Sequence, residues 1–114
     1  MSIAAYQSTQ RVADGPRRTE YRLFAEVTRA LIEAGERGDK GEAFHHAVTW
    51  NRDLWQTLAN DLLQPGNTLP DALKAQLLSL AVWVDRHSLR VMRNAARIDP
   101  LIEVNRNVMA GLQG

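Results

Sequence analysis

The stretch Leu69–Ile98, LPDALKAQLLSLAVWVDRHSLRVMRNAARI, constrains the fold more than any other part of the chain. It reads as one long helix with apolar residues on more than one side. Leu73, Leu77, Leu80, Ala81, Val84, Val91 and Ala95 recur at the three- and four-residue steps of a single stripe. Leu78, Val82, Leu89, Met92 and Ala96 form a second stripe beside it. A helix apolar over so wide an arc is expected to supply the centre of a core and to be covered by more than one neighbour. The remaining arc carries Gln76, Ser79, Trp83, Arg86, Arg90, Arg93 and Arg97, a cationic row with a large aromatic residue near its start.

The other segments are also helical. Ser2–Ala13 is predicted as a short helix capped by Ser2, thin in apolar residues and in need of something to dock on. After the Asp14-Gly15-Pro16 break, Pro16–Ala34 carries the core stripe Leu23, Val27, Ala30, Leu31, Ala34 and ends at Gly35. Arg22, Glu26, Arg29 and Glu33 form a ladder of opposite charges on its far side, read as a solvated face. A third helix begins near Asp39 or Gly41 and stops before Pro65, with Phe44, Ala47, Val48, Asn51, Leu54, Trp55, Leu58 and Leu62 on one row. Asn51 lies inside this row and Asn105 inside that of the last helix, Pro100–Gly111, which Asp99 caps. Both asparagines are expected to be internal hydrogen-bonding groups. Thr68 is expected to cap the Leu69–Ile98 helix. No sustained alternation and no hairpin signal competes. The expectation is a single all-α domain over residues 1–114, a small bundle of three main helices with shorter N- and C-terminal ones.

Chemistry is hard to find in this sequence. The absence of cysteine excludes disulfides, thiolate metal sites and a Cys nucleophile. His45 and His46 are adjacent and diverge by about 100° on a helix, and His87 has no ligand set near it, so no metal or cofactor is expected. There is no nucleophile elbow, and the glycines at 35, 38 and 41 lack the strand and Lys-Ser/Thr of a phosphate loop. A non-enzymatic protein is expected. No run of about 18 apolar residues exists to span a membrane. The N-terminal MSIAAYQSTQ has no basic region followed by an apolar one, which predicts a cytoplasmic location.

What remains is surface. The net charge of +1 argues against general nucleic-acid binding. Locally, however, Asp85–Arg106 holds five arginines against three acids. Arg86, Arg90, Arg93 and Arg97, with Trp83 upstream, His87 alongside and a second exposed aromatic residue at Trp50, are the candidate partner-binding residues. Arg and Trp are enriched at protein interfaces, which favours a protein partner over RNA for this row.

The order of short motifs then carries a resemblance. Ala5-Tyr6-Gln7, RRTEYRLFAEVTRAL at Arg17–Leu31, NRDLW at Asn51–Trp55, the Leu69-Pro70 pair, SLAVWVDRH at Ser79–His87 and LIEVNRNVMAGL at Leu101–Leu112 resemble the FlaF family, flagellar biosynthesis regulators of alphaproteobacteria. The resemblance covers nearly the whole chain. It implies a small cytoplasmic helical protein that promotes flagellin production and export, opposite a regulator that represses flagellin mRNA translation. It implies flagellin binding, as by an export chaperone, with action on the mRNA or on the opposing regulator through the Arg86–Arg97 face as the alternative.

Overall fold

A computed structural model describes residues 16–113, with side chains from 21 to 111. The helix expected over Ser2–Ala13 lies outside the described residues. Four helices follow in order: α1 (Pro16–Arg37), α2 (Glu42–Leu62), α3 (Asp71–Met92) and α4 (Asp99–Gln113). No strand occurs among the described residues, and the chain is all-α as expected.

The connections make neighbours antiparallel. Gly38–Gly41 returns the chain from α1 to α2, and Gly38 takes φ +69°, a conformation open to glycine at little cost. The helix therefore stops at Gly38 rather than at Gly35, which remains within α1. Gly35 has a different role: a Cβ there would lie 3.2 Å from Ile98 Cγ2, so its lack of a side chain lets the start of α4 approach α1 closely. Thr28 meets Asn105 while Gly35 meets Ile98, so α1 and α4 run in opposite directions. Helix α2 lies between α1 and α3, and α1 lies between α2 and α4. Contact between α3 and α4 is slight, which leaves the four-helix ring nearly open on that side.

Most of the predicted stripes of α1 and α2 is buried, Val27, Leu31 and Ala34 from α1 and Phe44, Ala47, Val48, Leu54, Trp55 and Leu62 from α2, while Leu23, Ala30 and Leu58 are half-buried at its edge. Ile98, Leu101 and Ile102 complete this core from the start of α4. Phe24 and Trp55 meet edge to face, with ring centroids 5.6 Å apart. The ladder Arg22, Glu26, Arg29, Glu33 is exposed, as a solvated face should be.

Both asparagines lie in this core, fully buried. Trp55 Nε1 donates to Asn105 Oδ1 at 2.9 Å. An indole N–H can only donate, so the other amide atom of Asn105 is its nitrogen. That nitrogen donates to Thr28 Oγ1 at 3.1 Å and to Asn51 Oδ1 at 2.8 Å. Asn51 Nδ2 is then left buried without a partner among the described residues. Three helices are tied together at one polar point.

Helix α3 departs from expectation. Of its first stripe only Val84 and Val91 are buried, joined by Ser88, whose Oγ donates back to Val84 O at 2.6 Å. Leu77, Leu80 and Ala81 are half-buried, and Leu73 is exposed. In the second stripe, Val82 and Leu89 are exposed and Leu78 and Met92 half-buried. The helix does not form the centre of the core. It has one close neighbour, α2, while α4 runs mainly against α1. With 15 residues against 22, α4 spans roughly 22 Å against roughly 33 Å, too short to cover α3 from end to end.

Its ends differ from expectation too. Thr68 does not cap the helix, whose N-cap position is Pro70. Asn67 organises the approach instead: its Oδ1 accepts from Leu69 N, and its carbonyl accepts from Lys74 Nζ at 2.6 Å. At the other end the helix stops at Met92 rather than running to Ile98. Asn94 takes φ +60°, its N–H donates to Val91 O, and Ala95 N–H donates to Arg90 O at 2.8 Å. This pair of bonds is the Schellman termination, with Asn where glycine is commonest.

Candidate partner-docking surface

Early termination divides the predicted cationic row. Arg86 and Arg90 sit on α3, Arg93 is its C-cap, and Arg97 lies beyond it in the turn. Arg97 is engaged with Asp99 through Nε at 2.9 Å and Nη2 at 2.7 Å. Arg90 Nη2 donates to Ala95 O at 3.3 Å, across the turn that ends its own helix. Arg86 and Arg93 are exposed and make no side-chain hydrogen bond or ion pair with the described residues.

Trp83 and His87 form a unit, their rings stacked with centroids 4.7 Å apart and 16° between planes. His87 Nε2 lies 2.7 Å from Arg97 O. A carbonyl only accepts, so Nε2 carries the hydrogen and donates it. Both side chains are half-buried, and Trp83 packs against the edge of the core. This pair supports the α3–α4 turn and presents only part of its surface outward.

Trp50 is set apart from this group. It is 38% exposed on α2, near His46, beside a shallow groove between α1 and α2 lined by Ala30, Ala34, Ala43 and Ala47. No residue of α3 lines that groove. The seven candidates thus fall into three groups: Arg86, Arg90 and Arg93 on the outer side of α3, Trp83 with His87 and Arg97 at the turn, and Trp50 on another face.

The outer side of α3 carries a feature that the charge pattern hides. Ala75, Leu78, Val82 and Leu89 follow helical steps and face away from the buried Val84, Ser88 and Val91. Val82 is 53% exposed, and Leu69, Leu73 and Leu89 are each 39% exposed. Of these only Val82 and Leu89 lie on the outer side: Leu73 shares the stripe of Val84 and Val91, and Leu69 precedes the helix. Exposed Val82 and Leu89, with Ala75 and half-buried Leu78 at helical steps before them, leave a short apolar strip on this side of α3. The second stripe was visible in the sequence; its exposure was not. Asp85, at the stripe's inner edge, is held by Arg52 of α2, so the arginines outside it face no acid of their own helix except the distant Asp71.

No cluster of three or more His, Cys, Asp or Glu suited to a metal occurs among the described residues. No helix among them is long and apolar enough to cross a membrane. No curated protein and no solved structure matches the chain. One family model does match, that of the flagellar protein FlaF, over residues 2–112. With nearly its whole length covered by that match, the chain belongs to the FlaF family of flagellar proteins.

Proposed function

We propose that this flagellar protein is a non-enzymatic accessory factor that binds flagellin in the cytoplasm and promotes its synthesis or secretion, acting as an export chaperone. The observation that carries the reading is the exposed apolar stripe of α3, with Val82 at its middle. A chaperone for a helical export substrate needs no catalytic group. It needs an apolar strip on which an amphipathic helix can lie, read by anchors at three- and four-residue spacing. Helix α3 offers Leu78, Val82 and Leu89, four and seven residues apart, on a side that no helix among those described covers closely.

The alternative is a post-transcriptional regulator acting on flagellin mRNA, or on its translational repressor, through the Arg86–Arg97 face. Two of the four arginines in that row are already engaged, Arg97 with Asp99 and Arg90 with Ala95 O. This weakens the row as a phosphate-binding track without touching the apolar stripe.

Calorimetric titration with flagellin at two salt concentrations, full-length and lacking its C-terminal helix, tests the proposal. Binding that tolerates salt, needs the terminal helix and is lost in Val82→Asp is expected. RNA binding that falls steeply with salt, with no binding to flagellin, would transfer the function to the arginines.

A further inference from the structure

The apolar stripe of α3 is flanked by charge on one side and at one end. Arg86 follows Val82 by one turn, Arg90 follows Arg86 by one turn, and Arg93 follows Leu89 by one turn. The only acid on the same outer side is Asp71, in the first turn. Asp85 is withdrawn from this surface by Arg52. Lys74, near the same end, is turned back to Asn67 O, so the stripe is near neutral where α3 begins and cationic where it ends.

This asymmetry bears on what can lie there. A second copy packed parallel would set its three arginines against these three and repel, and one packed antiparallel would offer the three arginines a single acid, Asp71. The chain's own Ser2–Ala13 has Arg11 as its single charged side chain and offers the arginines nothing. Resting on the reading that α3 is the docking surface, we infer that its partner is an amphipathic helix with acidic residues clustered at one end of its apolar stripe. Those acids lie over Arg86, Arg90 and Arg93, and the apolar residues lie over Leu78 and Val82. Arg86 and Arg93 reach solvent without a side-chain partner among the described residues, so pairing with acids breaks no contact seen there. The apolar contacts supply affinity, and the arginines select the partner and its register.

Two synthetic helical peptides test this, identical in their apolar positions, one with glutamates at one end of the stripe and the other with lysines there. Titrated into the full chain at low salt, the acidic peptide is expected to bind about tenfold more tightly, the sum of a few exposed ion pairs. The preference shrinks in high salt and reverses in the Arg86→Glu/Arg93→Glu variant, whose helicity is checked by circular dichroism. Val82→Asp abolishes binding of both peptides.

Equal binding of the two peptides, with both lost in Val82→Asp, overturns the charge inference and leaves the docking surface standing. Failure of flagellin and both peptides to bind overturns the surface itself. A concentration-dependent dimer in sedimentation that Val82→Asp abolishes shows a second copy as the occupant and overturns the inference. So does peptide binding that appears only after residues 2–13 are deleted.

Discussion

Trp55 on α2 and Asn105 on α4 share a buried hydrogen bond of 2.9 Å that orients every amide in the core. Because the indole can only donate, Asn105 must present its oxygen to Trp55 and its nitrogen to Thr28 and Asn51. The polar contact thereby fixes the position of α4 over both α1 and α2. Leu101 and Ile102 alone, as apolar residues, would tolerate small slides along the same surface.

Asn105 and Asn51 differ in how many groups depend on them. Asn105→Ala leaves Trp55 Nε1 and Asn51 Oδ1 buried without partners and removes a bond to Thr28. The expected loss is about 3 kcal/mol in urea denaturation, with a change in the near-ultraviolet signal of Trp55. Asn51→Ala deletes one bond together with an amide nitrogen that already lacks a partner among the described residues. About half that loss is expected. The same side-chain atoms are removed from two fully buried sites, and the variants differ in how many hydrogen-bonding groups lose a partner.

Asn94 carries the end of α3 at φ +60°. An alanine there meets the steric cost of the left-handed region without the local bonding that Asn offers, and about 1 kcal/mol of stability should be lost. Glycine should match or slightly exceed the wild type. Gly38, at φ +69° with open space around it, provides the comparison: Gly38→Ala is expected to cost about 1 kcal/mol through backbone strain alone. If Asn94→Ala is neutral in thermal melts, the Schellman turn is not what holds the helix end.

The burial gradient along α3 predicts unequal local stability. Val84, Ser88 and Val91 anchor its second half, whereas Leu73 is exposed and Leu77 and Leu80 are only half-covered in its first half. In amide hydrogen exchange, residues 74–80 should exchange well before residues 84–91. Added flagellin should slow the first group most if the partner covers this end. Uniform protection along the helix in the free protein would contradict the gradient.

Much of the fold was legible in the sequence, for a reason that also explains where legibility ended. Val27, Leu31 and Ala34, and the row from Phe44 to Leu62, follow helical spacing and are the residues buried. Asn51 and Asn105 lay inside apolar rows and proved to be internal hydrogen-bonding groups. A stripe tells which side of a helix is apolar, but not whether a neighbour is long enough to cover it. Val82 and Leu89 therefore read as core and lie at the surface, and Leu78 is only half-buried. The end of α3 was hidden because Arg93-Asn94-Ala95-Ala96-Arg97 contains no Gly or Pro, so Arg97 was counted in a row that the chain leaves four residues earlier. Asn94 followed by the Asp99-Pro100 start was the available signal, since Asn is the other residue that tolerates positive φ.

Val82 and Val84 separate the two faces of α3 in one comparison. They are the same residue type, two positions apart on one helix, yet Val82 is 53% exposed and Val84 is fully buried. Val84→Ala should cost about 2 kcal/mol from lost burial and the cavity left beside α2, with flagellin affinity falling only as far as the folded fraction does. Val82→Asp places a charge in water and should leave the denaturation midpoint nearly unchanged, within about 0.5 kcal/mol. Under the docking proposal it should nevertheless remove flagellin binding, because a bound helix would force that carboxylate out of water among apolar side chains. Urea denaturation and calorimetry on the same two variants decide the matter. If Val82→Asp binds flagellin as the wild type does, the stripe is an ordinary surface and the partner site must be sought elsewhere, beginning with the groove beside Trp50.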